Sequence, residues 1–245
     1  MTTDGYMGRF LVADLTRSEA WSVPLPQWLR DGFVGGKGFG ARLLWDLVPA
    51  GTDPLGPENM IMFLTGPLTA TAAPSMRACV VTKSPLTGIY LDSFFGGRFG
   101  PEIKYAGYDG LIVTGCAVRP TILTIRDDDV RFHPAGSIWG TDALTANARV
   151  KQELDASESR VVTIGQAGEN QVRFALISCE YNRQAGRGGA GAVMGSKNLK
   201  AIAVTGSRVV KVHDPAAFNA ACRQASADIA ASAACAALTD SGTSN

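Results

Sequence analysis

The sequence predicts an α+β fold with largely antiparallel sheets. Short runs rich in β-branched and aromatic residues follow one another closely, and few helical segments separate them. A doubly wound parallel sheet needs a crossover helix between successive strands, and that alternation is missing. Hydrophobic residues make up 46% of the 245 residues and charged residues 18%, a composition typical of a globular protein with a sizeable core.

The first half of the chain opens on a predicted β-hairpin, because two alternating runs flank a short polar turn. A glycine-rich stretch at residues 35–40 then opens a helix that ends before Pro49. A later helix ends at Gly107, which suits the residue after a helix C-terminus. In chain order, the predicted elements are strands at 9–15 and 19–23, a helix at 41–48, strands at 60–64 and 77–82, and a helix at 99–106.

The second half predicts a three-stranded meander followed by an amphipathic helix. The acidic run at residues 126–129 reads as a hairpin turn, since it lacks the spacing of a calcium loop. Thr141 is the predicted N-cap of the helix. The predicted elements are strands at 110–114, 121–125 and 130–132, a helix at 141–154, and strands at 161–164, 172–177 and 201–204.

A boundary is predicted near residues 209–213. Asp214 suits an N-cap and Pro215 the first position of a long alanine-rich helix to about Leu238. Large hydrophobic residues are scarce in this helix, so we expect it to need a larger partner. The sequence thus predicts a first domain at residues 1–210 and the incomplete start of a helical domain at 211–245.

Bulk charge and composition exclude several classes of function. The net charge is +1, so no general basic field favours nucleic acid or a membrane surface. Neither a signal peptide nor a run of about 20 apolar residues is present, which favours the cytoplasm. The five cysteines form no Cys-x-x-Cys pair and are expected to be buried free thiols. With two histidines only, a histidine metal site or a Ser-His-Asp triad is disfavoured.

The most informative segment is residues 183–198 (RQAGRGGAGAVMGSKN), which holds five glycines and two arginines. Glycine lets a backbone approach a ligand closely, and the arginine fork suits phosphate. Residues 93–100 (SFFGGRFG) have the same character. We therefore predict a site for a large anionic cofactor with at least two walls.

Other glycine-rich motifs fit this segment less well. Residues 186–191 match G-x-G-x-x-G, but about seven residues reach the next strand, too few for a βαβ crossover, and no acidic residue follows at the usual distance. No Gly-Lys-Ser/Thr completes a P-loop. Residues 35–40 (GGKGFG) lack the other protein-kinase motifs and suit a simple turn as well as a function.

Taken together, the motifs resemble the N-terminal domain of the tungsten-dependent aldehyde:ferredoxin oxidoreductase family. Their order and spacing cover nearly all of residues 8–213. The matching pieces are residues 66–69 (GPLT) with 73–74, 82–88 (TKSPLTG), 96–97 with 99–100, 104–109 (KYAGYD), 138–140 (IWG), 164–170 (IGQAGEN) and 185–204.

The resemblance implies an α+β base of two largely antiparallel sheets with flanking helices, which cradles tungsten or molybdenum held by two pterins, with magnesium between the pterin phosphates. It implies that Arg77 and Arg187 meet phosphate and that the backbone carbonyls of Phe94 and Ala185 reach magnesium. The cofactor-binding residues that it implies are Arg77, Phe94, Phe95, Gly96, Gln184, Ala185, Arg187 and Gly188.

The chain departs from the family pattern at Phe94 and Phe95, where Asn-Ser is common, and at Gln184, often Ala. A carbonyl contact survives a change of side chain, whereas two phenylalanines are expected to narrow the pocket. The cofactor's own sulfurs hold the metal, so no protein ligand to it is expected. The family places its 4Fe-4S cysteines and its proton-transfer residues in later domains, so no catalytic side chain is assigned here.

By resemblance, the whole enzyme oxidises an aldehyde to a carboxylic acid and passes electrons through a 4Fe-4S cluster to ferredoxin, as a homodimer. The fold also serves carboxylate and aromatic-thioester reductases, so the substrate stays open. A non-catalytic cofactor-binding module is a second hypothesis, which the reading frame after Asn245 would test. A nicotinamide dehydrogenase is a third, testable by NAD titration.

Overall fold

The fold consists of two six-stranded sheets with helices between them and on their outer faces. A computed structural model describes residues 4–180 and 183–242. The N-terminal sheet has the strand order β2-β1-β6-β3-β4-β5. Its strands are β1 (Arg9–Asp14), β2 (Glu19–Pro24), β3 (Ile61–Leu64), β4 (Ala78–Lys83), β5 (Tyr90–Phe95) and β6 (Gly110–Thr114).

The C-terminal sheet has the order β11-β10-β9-β12-β7-β8. In each sheet a single neighbouring pair is parallel, β1 with β6 and β7 with β12, and the other pairs are antiparallel. The predicted α+β class with largely antiparallel sheets is therefore confirmed. The strands are β7 (Thr121–Arg126), β8 (Asp129–Pro134), β9 (Arg160–Thr163), β10 (Ile177–Cys179), β11 (Arg183–Ala185) and β12 (Leu199–Thr205).

Helices fill the space between the sheets and cover both outer faces. The described helices are α1 (Gln27–Phe33), α2 (Lys37–Leu47), α3 (Phe99–Tyr105), α4 (Ala143–Glu153), α5 (Gln166–Glu169), α6 (Ala190–Ser196), α7 (Pro215–Ala231) and α8 (Ala233–Ser241). The main core joins the inner faces of both sheets through α3 and α6. A second core lies under α1 and α2, and a third under α4. None of the described helices is both long and apolar enough to cross a bilayer.

Several predicted elements are confirmed. Arg9 to Asp14 pair with Glu19 to Pro24 as the expected hairpin. Gly107, with φ of +99°, follows α3 as the predicted glycine after the helix end. Asp214 caps α7, since its side chain accepts a hydrogen bond from the backbone N–H of Ala217 at 3.0 Å.

Other predictions are wrong for identifiable reasons. The predicted meander does not form, because β6 pairs with β1 and β3 in the N-terminal sheet while β7 and β8 belong to the other sheet. Asp142, not Thr141, caps α4; its carboxylate accepts from the N–H groups of Leu144 and Thr145, both at 2.9 Å. The Thr141 hydroxyl instead donates to the Ile138 carbonyl.

The remaining differences lie just before the glycine-rich segment at residues 183–198 and in the C-terminal helices. Of the predicted strand at 172–177, only Ile177 is in a strand, and Phe174 stays 70% exposed. The single long helix is broken at Ser232, whose extended backbone (φ −74°, ψ 124°) separates α7 from α8. Neither the helices α1, α5 and α6 nor the strands β5 and β11 are predicted from the sequence.

Candidate cofactor-binding site

The two predicted walls of the site come together where the edges of the two sheets meet. Strand β5 ends the N-terminal sheet and β11 ends the C-terminal sheet. The backbone N–H of Arg187 donates to the Ser93 hydroxyl at 3.3 Å, and the Arg183 side chain lies 3.4 Å from the position that a Cβ on Gly96 would take. Edge strands carry backbone N–H and C=O groups that the sheet leaves unpaired, so a ligand can use them.

The first wall, residues 93–98, follows the alternation of strand β5. Phe94 points outward and is 42% exposed, whereas Phe95 is 2% exposed. The Phe95 ring packs in the core against Phe99, with ring centroids 6.0 Å apart. The Phe95 ring therefore does not line the pocket, and narrowing by Phe94 stays a prediction.

Arg77 and Phe94 line a cleft of about 480 Å³ on the outer side of β4 and β5. Its other lining includes Gly36 and Lys37 at the start of α2, and Gly66. A Cβ on Gly66 would meet nothing within 4 Å, and one on Gly36 would find its nearest neighbour at 3.9 Å. Of the glycine-rich stretch at 35–40, residues 35–37 therefore line the cleft. Gly38 and Gly40 lie in α2, where a Cβ would overlap with Phe33 and Val81, so these two glycines serve packing.

The second wall, residues 183–188, exposes less bare backbone than its sequence predicts. A Cβ on Gly186 would meet nothing within 4 Å, so this glycine faces open space. Gly188, at the end of the wall, and the three glycines that follow the wall instead serve close packing within the chain. A Cβ on Gly188, Gly189, Gly191 or Gly195 would overlap, in turn, with Leu91 and with the backbone carbonyls of Arg173, Leu176 and Gly168.

The predicted polar and carbonyl contacts of the second wall differ in accessibility. Gln184 and Arg187 are exposed, so both side chains are free to meet a ligand. Ala185 is 0% exposed, and its carbonyl would reach an ion only after the atoms that cover it move. The Gly188 carbonyl accepts a hydrogen bond from the Ser84 hydroxyl at 2.7 Å, which fixes the end of the wall.

Positive charge is concentrated around both walls although the whole chain carries only +1. Five basic residues lie on the walls or in the cleft, and none forms an ion pair with another of the described residues. The five are Lys37, Arg77, Arg98, Arg183 and Arg187. Because none of these five charges is taken up by an ion pair with the described residues, the junction favours an anionic ligand.

Two buried thiols lie beneath this charged surface. Burial raises the pKa of both Cys79 and Cys179 to about 12. They therefore stay protonated and neutral at ordinary pH, and a metal requires the thiolate. Of the residues that the structure describes, no group of three or more His, Cys, Asp or Glu side chains could hold a metal ion.

The donor set fits a flat, phosphate-bearing group. Guanidinium groups suit phosphate, open glycine positions admit a planar ring against the backbone, and unpaired edge groups supply further polar contacts. A metal that arrives already held by the sulfurs of such a group would need no protein side chain. Glu180, which accepts a hydrogen bond from the Arg98 backbone N–H at 3.1 Å, is not predicted from the sequence. Lys37 and Arg98 lie in glycine-rich segments of the sequence, but no role is predicted for either side chain.

Comparison with known proteins identifies close relatives. The model of the "Aldehyde ferredoxin oxidoreductase, N-terminal domain" family matches residues 10–206. The tungsten-containing aldehyde ferredoxin oxidoreductase of Pyrococcus furiosus is 41% identical over 221 residues, which cover 90% of this chain and 36% of that protein. The aliphatic sulfonate oxidoreductase, WOR-like subunit, of the same organism is 39% identical over 217 residues, covering 82% and 35% of the two chains.

A solved structure has the same fold. The active-site complex BamBC of benzoyl-coenzyme A reductase, with bound 1,5-dienoyl-CoA, matches with a TM-score of 0.90 and 36% identity over 92% of this chain and 35% of that chain. The chain therefore spans about a third of the length of the relatives that it matches.

Proposed function

Because this chain belongs to the aldehyde ferredoxin oxidoreductase family, we propose that it forms the cofactor-binding base of a tungsten or molybdenum bis-pterin enzyme that oxidises aldehydes to carboxylic acids. The observation that carries the proposal is the meeting of two basic, glycine-containing walls at the edges of two sheets. The bound metal–pterin group supplies the two-electron redox chemistry. The residues of this chain bind and orient that group.

Each wall has a distinct role in this proposal. Arg77 and Arg187 each hold a phosphate by charge-assisted hydrogen bonds, since both are exposed and unpaired among the described residues. Gly66 and Gly186 leave room for the ring system. The exposed Phe94 ring would lie against one side of the ligand in the cleft that it shares with Arg77.

The two backbone carbonyls proposed to bind magnesium differ in how accessible they are. Phe94 lies on an edge strand, which favours a free backbone carbonyl, whereas the carbonyl of Ala185 is covered. A magnesium ion between the phosphates would thus rely first on phosphate oxygens and on Phe94. We propose further that the whole protein is a cytoplasmic homodimer, and that it passes electrons through a 4Fe-4S cluster, held by later domains, to ferredoxin.

Elemental and pterin analysis tests the proposal directly. The protein expressed from its complete reading frame would be purified anaerobically from cells supplied with tungstate and molybdate. We expect one metal atom per chain, two pterins and phosphorus in proportion. A protein that contains neither metal nor pterin under these conditions would contradict the proposed function.

Reduction of an aromatic thioester is a second candidate reaction. It is favoured by the structural match to the benzoyl-coenzyme A reductase complex at 36% identity. Both reactions would be assayed with one metal-loaded preparation, as aldehyde-dependent dye reduction and as benzoyl-CoA-dependent oxidation of a reduced dye. The candidate with the higher kcat/KM is the physiological class of reaction.

A further inference from the structure

The turn between β10 and β11 carries a glutamate that reaches across to the other sheet. Glu180 has a φ of +55°, in the left-handed region that favours glycine. One of its carboxylate oxygens accepts a hydrogen bond from the backbone N–H of Arg98 at 3.1 Å. The other lies 3.1 Å from the position that a Cβ on Gly97 would take. Glu180 therefore has an unfavourable backbone conformation at the position from which its side chain reaches residues 97–98.

The segments that Glu180 connects are the two walls of the candidate site. Gly97 and Arg98 follow Gly96 directly in the first wall, and Glu180 lies just before Arg183, which covers Gly96. At the opposite end, the walls are joined by the hydrogen bond from Arg187 to Ser93. The two walls are therefore in contact at both ends, through Glu180 at one end and through Ser93 at the other.

The charge of Glu180 and its hydrogen bond have opposite consequences for an anionic ligand. Glu180 brings a negative charge to the first wall, next to Gly97, and a negative charge at this place weakens the binding of phosphate. The hydrogen bond to Arg98 instead depends on the length of the side chain and on an acceptor oxygen, which an amide also provides. Removal of the charge and removal of the acceptor are therefore separable by substitution.

We infer that Glu180 is a positioning residue of the cofactor site, whose carboxylate holds the turn at residues 96–98 against the second wall. Glu180 does not itself contact the cofactor. It keeps the two phosphate-binding walls at the distance at which both can contact the cofactor. The inference deepens the proposed function and rests on it.

The test compares substitutions that keep or remove the acceptor, in the protein expressed from its complete reading frame. Glu180→Ala removes the acceptor, Glu180→Asp keeps the charge but shortens the side chain, and Glu180→Gln keeps an acceptor without charge. Glu58→Ala is the matched control, because Glu58 is exposed and makes no hydrogen bond or ion pair with the rest of the described chain. The half-life of bound metal and phosphate during anaerobic dialysis is measured for each protein.

We expect Glu180→Ala and Glu180→Asp to shorten this half-life about tenfold, as loss of a hydrogen bond to a charged group predicts. Glu180→Gln and the control should stay within about twofold of the wild type. In metal-free protein, hydrogen exchange of the backbone amides at residues 96–98 should be faster in Glu180→Ala and Glu180→Asp only. If Glu180 acted only through its charge, glutamine could not replace it, so a half-life close to that of the wild type in Glu180→Gln distinguishes the two roles.

Four outcomes would overturn the inference. Unchanged half-lives in Glu180→Ala and Glu180→Asp would show that the contact does not support the site. Longer half-lives in both Glu180→Ala and Glu180→Gln would show that Glu180 acts through its charge. If Glu180→Ala does not fold, the half-lives of Glu180→Asp and Glu180→Gln are compared instead, and equal values in these two variants would contradict the inference. A wild type without metal or phosphate would instead contradict the proposed function, and the inference with it.

Discussion

Arg77 and Arg187 are the side chains on which the proposed site depends most. We expect Arg77→Ala and Arg187→Ala each to weaken phosphate binding by about 1.5–3 kcal/mol, because each removes a charge-assisted hydrogen bond. Retained metal and phosphorus, measured by elemental analysis after anaerobic purification, should fall in both variants. Arg119→Ala is the control, since Arg119 is exposed on the β6–β7 loop. Unchanged metal and phosphorus in both variants would defeat the assignment.

Lys197 gives the protein a pH dependence that is independent of any ligand. Its ammonium is 0% exposed and donates to the carbonyls of Gly115 and Pro57, at 2.9 and 3.3 Å. Burial lowers its pKa from 10.5 to about 8. Between these two values the unfolded chain binds a proton that the folded protein has released, so this residue makes the free energy of unfolding rise with pH.

We therefore expect the free energy of unfolding of the wild type, minus that of Lys197→Met, to increase by about 3 kcal/mol between pH 7.5 and pH 10.5. Denaturant unfolding of the metal-free proteins at a series of pH values measures this difference. Cys79 and Cys179 act in the opposite direction above pH 9, because their raised pKa keeps them protonated in the folded state. Both proteins contain them, so their effect cancels. A difference that does not change with pH would contradict the lowered pKa.

At the scale of elements, some glycines of residues 183–198 leave room for a ligand and others are needed for packing. Gly186→Ala should leave the free energy of unfolding of the metal-free protein almost unchanged but lower cofactor retention, because its Cβ enters open space. Gly189→Ala should destabilise the same protein by more than about 2 kcal/mol, since Gly189 has φ of +86° and a Cβ would overlap with the Arg173 carbonyl. Equal effects of the two substitutions on unfolding would contradict this division.

The elements that the sequence predicted best are those determined by neighbouring residues. The β1–β2 hairpin and the end of α3 at Gly107 depend on local alternation and on one glycine conformation. Strand β6 could not be placed, because its partners β1 and β3 are distant in sequence and local patterns carry no information about them. Strand β5 was missed because Asp92 and the following glycines obscure its alternation, and its pairing with β4 decides its structure.

The sequence predicts which residue types form the candidate site, but it does not predict which of these residues contact one another. Glycine and arginine content identified both walls, and the structure brings them together. The packing role of Gly188 was not visible, since its partner Leu91 lies on another strand. The contact between Glu180 and Arg98 joins residues 82 apart in the chain, and no local pattern indicates it.

At the scale of the whole molecule, the two C-terminal helices contribute little to the two-sheet body. Only Cys222 is buried in α7, and no residue is buried in α8. We expect truncation after His213 to change the melting temperature of the metal-free protein by less than about 3 °C, because little apolar surface is re-exposed. Differential scanning calorimetry of both lengths measures it. A fall of more than about 8 °C would show that residues 214–245 belong to the first domain.

The junction of two sheet edges also dictates when the site can come into existence. Ser93 and Arg187, which touch across it, are separated by 94 positions. During translation the first wall leaves the ribosome long before the second has been made, and each sheet needs its own later strands before its edge takes shape. A ligand that requires both walls can therefore enter only after synthesis has passed Thr205, the end of the last strand, and the two sheets have docked.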